Sequence, residues 1–185
     1  MVGSELPTPS TEPRVADDHV TLAVRDLSVL DGSDRPTLDR VSLDVHRGEI
    51  VGVAGVEGNG QGELIEAILG LCQTSGGQLL LDGEDIGHWP VRRRREAGIG
   101  YVPEDRHRRG LLVDAPLWEN AMLGHQTMAP FARGPFLDRS GARSATTRIV
   151  EHFDVRTPGI DTSARALSGG KDRKSTRLNS SHTSI

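Results

Sequence analysis

One stretch limits the folds open to this chain more than any other: residues 50–71, IVGVAGVEGNGQGELIEAILGL. An apolar run, Ile50-Val51-Gly52-Val53-Ala54, reads as a buried strand. A glycine-rich loop follows, Gly55-Val56-Glu57-Gly58-Asn59-Gly60. Then comes a helix with Leu64, Ile65, Ile68 and Leu69 on one side. Strand, glycine loop and helix in that order form an anion cradle. The glycines let successive backbone N–H groups turn inward around an anion. The helix N-terminus adds partial positive charge.

The loop is an altered form of the phosphate-binding pattern G-x-x-x-x-G-K-[ST]. Gly55 and Gly60 hold the two glycine positions, but Gln61 stands at the lysine and Gly62 at the Ser/Thr. The cradle is kept. The cation that reaches the β/γ-phosphates and the hydroxyl that ligates Mg²⁺ are not. Taken alone, the stretch suits a strand-to-helix turn of another α/β domain equally well. A dinucleotide-binding fingerprint, which Gly58-Asn59-Gly60 and Asp82 mimic, fails on spacing. Glu63 stands at the third glycine position after Gly60.

The 185 residues suit one domain or slightly more. The formal net charge is −4 and aromatics are only 3%, which argues against nucleic acid as a partner. No apolar run approaches the roughly 20 residues that span a bilayer. The N-terminus has neither the basic nor the apolar segment of a secretory signal. Cys72 is the only cysteine and reads as a buried structural thiol.

Residues 1–18 are rich in Pro, Ser, Thr and acidic residues and read as a disordered leader or linker. Val20, Leu22 and Val24 alternate with polar residues, as do Val41, Leu43 and Val45, predicting two strands. Residues 31–36 predict the turn between them. A third strand is predicted over residues 78–83, ending in Asp82-Gly83, and a fourth over residues 98–103. Two alternating strands before the glycine loop predict a small antiparallel sheet beside an α/β core. Pro90 predicts a short helix carrying Arg92, Arg93, Arg94 and Arg95 on a solvated face. Residues 104–110 read as a charged loop. Residues 117–123 read as a short helix started by Asp114 and Pro116, and residues 126–135 as irregular. Residues 138–153 read as a helix capped by Asp138.

Three stretches stand in fixed order: AGVEGNGQGEL at 54–64, GIGYVPEDRHRRGL at 98–111, and ALSGG at 166–170. Together they resemble an ATP-binding cassette, and more closely the second cassette of the two-cassette ATPase subunits of sugar and nucleoside importers. The resemblance covers residues 20–170. It implies an α/β P-loop NTPase fold, with a RecA-like core, an antiparallel β-subdomain and a partial helical subdomain from about Leu117. It implies ATP and Mg²⁺ as cofactors.

The resemblance also implies roles. Gly55, Val56, Glu57, Gly58, Asn59, Gly60, Gln61 and Gly62 would form the phosphate loop. Glu104 falls where many cassettes carry the Q-loop glutamine, which senses Mg²⁺ and the attacking water and contacts the permease. Ser168, Gly169 and Gly170 belong to the signature Leu167-Ser168-Gly169-Gly170. Cassettes pair head to tail, so this signature would bind the γ-phosphate held by the partner cassette. A cassette with a poor phosphate loop can therefore still complete its partner's good site. The implied partners are a second cassette, membrane permease subunits and, indirectly, a solute-binding protein. The implied place is the cytoplasmic face of the membrane. The aromatic that stacks on adenine in many cassettes has no counterpart in residues 1–62.

After the signature the composition changes. Lys171 and Lys174 are the only lysines, and Ser and Thr abound. Residues 172–182, DRKSTRLNSSH, read as the translation of a DNA-sequencing adapter, so residues 171–185 are expected to be non-native. The strand that carries the Mg²⁺ contact and general base in cassettes has no counterpart here. The chain by itself is therefore expected to be inactive as an ATPase.

Overall fold

The computed structural model describes residues 17–56 and 58–167. The expected leader, Glu57, the signature residues Ser168, Gly169 and Gly170, and the tail lie outside them. The chain divides into two compact units.

The first unit comprises residues 17–68 and 72–87. It is built on an antiparallel sheet, as the alternating apolar residues predict. Strand β1 (Val20–Leu30) pairs with β2 (Pro36–His46) and with β3 (Gly76–Leu81), and β3 pairs with β4 (Glu84–Asp85). The strand order is β2-β1-β3-β4. The β1–β2 turn is held by the Asp31 carboxylate, which accepts the Ser33 and Arg35 N–H groups at 2.7 and 3.0 Å. Asp82 and Gly83, both at positive φ, make the two-residue turn from β3 to β4. Val24, Leu27, Leu79 and Ile86 are almost fully buried.

The helix of this unit among the described residues is α1 (Gln61–Leu69), all of it but Leu69 assigned to the unit. Leu64, Ala67 and Leu69 are buried, but Ile65 is 42% exposed, so the apolar stripe is narrower than the sequence predicts. Cys72 is half-buried, its Sγ 3.8 Å from the carbonyl of Glu63 in the first turn of α1.

Residues 50–56 form no strand, contrary to expectation. Ile50 is 96% and Val53 58% exposed. The apolar run marks a segment suited to burial on both faces. Among the described residues no strand pairs with it, so the ladder cannot form.

The second unit comprises Leu69–Leu71 and residues 88–167. It holds α2 (Val91–Glu96), α3 (Arg106–Arg109), α4 (Leu117–Ala121), the β5–β6 hairpin (Ala132–Arg133 and Phe136–Leu137) and α5 (Arg139–His152). Asp138 caps α5 as expected, its carboxylate accepting the Gly141 N–H at 2.8 Å. Residues 98–103 form no strand either. The loop at 104–110 contains the single-turn helix α3, capped by the Asp105 carboxylate on the Arg108 N–H at 3.1 Å.

The Arg92–Arg95 run is not a uniformly solvated face. Arg94 is only 3% exposed, donating from Nε to the Trp89 carbonyl at 3.0 Å. It lies so close to Gly70 that a Cβ there would meet Nε at 2.9 Å. Arg93 stacks over the Trp89 ring, 3.8 Å from its centroid. Asp114 does not cap α4. It accepts from Arg165 at 2.6 and 2.8 Å, and Pro116 precedes the helix.

Two apolar clusters are found among the described residues of this unit. Leu117, Val155, Ala164 and Leu167 form one, and Phe131, Ala142 and Ala145 the other. The buried Asn120 clamps the approach to α4: Oδ1 accepts the Leu112 N–H at 2.8 Å, and Nδ2 faces the carbonyls of Leu112, Ala115 and Pro116 at 3.0–3.2 Å.

Arg143 of α5 grips Asp161 with both terminal nitrogens, at 2.5 and 2.7 Å. The hydrogen bond from Arg143 holds the Asp161 carboxyl below its ordinary range. A carboxylate depressed in the folded state stabilises the fold above its unfolded pKa. That contribution is lost as pH falls from about 4 through the folded value. Asp161→Asn is therefore expected to lower the urea midpoint at neutral pH and to match the parent chain in strong acid. A gap between the two that persists below the carboxylate range would show that the pair is not its source.

Candidate functional site

The glycine loop lies in the first unit, between the bare segment 50–56 and the start of α1. Gly58 and Gly60 take φ of +89° and +93°, conformations that side chains rarely adopt. Gly60 is constrained twice over: a Cβ there would stand 2.7 Å from the Thr37 carbonyl oxygen and 3.2 Å from Leu38 Cδ1. Strand β2 thus backs the loop where it enters the helix. The Leu64 N–H donates to the Gly60 carbonyl at 2.9 Å, which starts α1. The N–H groups of Gln61, Gly62 and Glu63 then have no acceptor within the helix, as at any helix start.

Gln61 holds the loop together. Its Nε2 donates to the Val56 carbonyl at 3.2 Å, and the Asn59 N–H reaches the same oxygen at 3.2 Å. The amide lies against Gly55, where a Cβ would collide with it. Gly55 is therefore needed for the packing of Gln61 as well as for the turn. The sequence shows the lost lysine, but it does not show that the replacing side chain folds back across the loop. A glutamine five residues after a loop carbonyl is the available signal, and it is weak.

Gly62 faces open space: a Cβ at this position would meet nothing within 4 Å. A serine would fit there, so the missing hydroxyl reflects residue identity and not crowding. The loop amides suit phosphate oxygens, but Gln61 and Gly62 supply neither a cation nor a Mg²⁺ ligand. Among the described residues no group of three or more His, Cys, Asp or Glu side chains is placed to hold a metal ion.

The structure places Gly55, Val56, Gly58, Asn59, Gly60, Gln61 and Gly62 together in this loop; Glu57 is outside the described residues. Glu104 belongs to the second unit, where it is exposed at the bend before α3. Ser168, Gly169 and Gly170 are outside the described residues, but Leu167 just before them is buried against Leu117, Val155 and Ala164.

A glycine loop opening a helix beside an antiparallel sheet is in keeping with an ATP-binding cassette, and residues 38–177 match the ABC transporter family model. The chain is a member of that family. It is 41% identical over 175 residues to the guanosine import ATP-binding protein NupO of Bacillus subtilis, covering 94% of this chain and 34% of that protein. It is 39% identical over 178 residues to the glucose import ATP-binding protein TsgD13 of Haloferax volcanii, covering 94% of this chain and 32% of that protein. The fold is similar to the ADP conformation of an ATP-binding cassette of an ABC transporter, with a TM-score of 0.67 at 20% identity, over 89% of this chain and 65% of that one. The chain spans about a third of the length of the curated relatives it matches.

Proposed function

We propose that this chain is part of the ATP-binding subunit of an importer for a sugar or nucleoside, and that it is the cassette with the degenerate phosphate loop. ATP with Mg²⁺ would bind between this cassette and a second one, and hydrolysis would drive the permease. The subunit would sit at the cytoplasmic face of the membrane, with a solute-binding protein acting through the permease. No helix among the described residues is long and apolar enough to cross a membrane. The observation that carries the reading is the loop itself. Its glycines and helix start are kept, while a neutral amide bonded to Val56 replaces the cation. Relatives named for guanosine and glucose import support the choice of solute class.

Two results are expected. The chain Met1–Ile185 releases no phosphate from ATP above background, because positioning and charge stabilisation supply nearly all of phosphoryl-transfer catalysis. Phosphate release abolished by Gly60→Asp would overturn this. In the intact subunit, Gln61→Lys with Gly62→Ser tightens ATP binding at this loop. A hydrogen bond to a charged group contributes about 1.5–3 kcal/mol, which is roughly ten- to a hundredfold in affinity. The open space beside Gly62 accommodates the new hydroxyl. Unchanged affinity in calorimetry would remove the phosphate-cradle reading.

A further inference from the structure

Three dipeptides of the chain join Asn or Asp to a following glycine: Asp31-Gly32, Asn59-Gly60 and Asp82-Gly83. Such a pair can react with itself, because glycine presents its backbone nitrogen with no side chain to shield it. The structure separates the three. The Asp31 carboxylate accepts the Ser33 and Arg35 N–H groups at 2.7 and 3.0 Å, and Asp82 Oδ1 lies 2.9 Å from His19 Nε2. A carboxylate is also a poorer target for a nucleophile than a neutral amide.

Asn59 differs on every count. It is exposed, and among the described residues its side-chain amide makes no hydrogen bond. The Gly60 N–H makes none there either. The rest of Gly60 is held still: a Cβ on it would stand 2.7 Å from the Thr37 carbonyl oxygen, and its own carbonyl accepts the Leu64 N–H at 2.9 Å. The side-chain carbonyl carbon can therefore turn toward a fixed backbone nitrogen. Asn120 is the opposite case: it is 5% exposed, bonded at both ends of its amide, and followed by Ala121.

We propose that Asn59 is a site of spontaneous covalent modification, losing its amide through a cyclic imide with Gly60. The Gly60 nitrogen gives its proton to water or hydroxide and bonds to Asn59 Cγ. The Cγ–Nδ2 bond breaks, and Nδ2 takes a proton from solvent and leaves as ammonia. Water then opens the ring. Attack at Cγ gives aspartate, and attack at the main-chain carbonyl gives isoaspartate. One water is consumed and one ammonia released, with no change of oxidation state. Either product puts a negative charge in the loop. Isoaspartate also lengthens the main chain by one carbon. With Gly60 seated on Thr37, that length falls on the turn where the Asn59 N–H and Gln61 Nε2 share the Val56 carbonyl. The effect on nucleotide rests on the phosphate-loop reading, because a carboxylate there repels phosphate; the modification itself does not.

The test incubates the chain Met1–Ile185 at neutral and alkaline pH and follows amide loss by mass spectrometry of tryptic peptides. Residues 48–92 and 110–133 lie between trypsin sites and hold Asn59 and Asn120 as their only asparagines. Asn59 is expected to convert at least about tenfold faster than Asn120, whose ring closure must first break several hydrogen bonds. Its rate should stay within about tenfold of that in the guanidinium-unfolded chain, as for a site that needs no unfolding to react. The rate should rise with pH, and an isoaspartyl methyltransferase should label the product. Asn59→Gln, which would have to close a larger ring, should show neither conversion at this position nor label. A rate no faster than that of Asn120, or more than about tenfold below the unfolded chain, overturns the proposal. A separate arm measures ATP binding by the intact subunit carrying Asn59→Asp, expected to be at least about tenfold weaker with an unchanged circular dichroism spectrum. Conversion of Asn59 without that loss removes the phosphate-loop reading and leaves the modification standing; the loss without conversion does the reverse.

Discussion

Ser168→Arg is expected to reduce ATP-driven solute uptake by the intact subunit to background, while Gln61→Ala leaves most of it. In the proposed assembly Ser168 faces nucleotide on the partner cassette, whose phosphate loop does the chemistry. A helix-terminal donor aimed at a transferring phosphate contributes on the order of a hundredfold or more to turnover. A bulky arginine there also blocks closure of the pair. The start of this motif is firmly based: Leu167 is buried with Leu117, Val155 and Ala164. Gln61, by contrast, spends its amide on the Val56 carbonyl at 3.2 Å and offers a neutral group to a site that is already poor. The measurement is ATPase activity and uptake of subunit assembled with its permease. Equal loss in the two variants, or a larger loss from Gln61→Ala, would overturn the assignment of this cassette as signature donor.

Gly77→Ala is expected to cost about 2–6 kcal/mol of stability in the first unit. Gly77 has φ +85° in β3, opposite the irregularity where β1 places Asp26 and Leu27 between the pairs Arg25–Gln78 and Ser28–Gly76. A Cβ there would stand 2.5 Å from the Arg25 carbonyl oxygen and 2.6 Å from the Asp26 carbonyl carbon, and would collide with the Asp26 oxygen. These are backbone atoms of the central strand and cannot rotate away. Left-handed strain contributes about 1–3 kcal/mol and the forced backbone shift a similar amount. Gly83→Ala is the control: it has φ +82° but open space around the new methyl, so it should cost only the strain. Equal urea midpoints for the two variants would show that the close approach at Gly77 does not matter.

The antiparallel sheet was legible because alternation is a local pattern. Val20, Leu22 and Val24 declare a strand with one buried face, and one neighbour of β1, β2, follows directly in the chain, while the other, β3, comes only at Gly76. Helix α5 was legible for the same reason, since Asp138 and the apolar residues at its end are a local code. Residues 50–54 and 98–103 read as strands because they are apolar, but a strand needs a neighbour, and none pairs with either among the described residues. Arg94 could not be placed from its run. Four arginines in succession look alike, and only the room left by Gly70 and the Trp89 carbonyl separates the buried one. In the candidate site the glycine spacing made the tight turn legible, Gly58 and Gly60 both taking positive φ, whereas the fold-back of Gln61 onto Val56 depends on backbone geometry that residue identity does not encode.

The bare segment at residues 50–56 has a consequence for handling the chain in solution. It carries β-branched Ile50, Val51, Val53 and Val56, with no charge and no proline, and leaves its backbone without ladder partners among the described residues. Such a segment adds readily to the same segment of another copy, strand by strand. A net charge of −4 spread over 185 residues provides little electrostatic repulsion against that. Concentrated samples of the chain are therefore prone to self-association that begins where the glycine loop begins, so under the proposed function the state of the sample and the access of nucleotide are linked through the same seven residues.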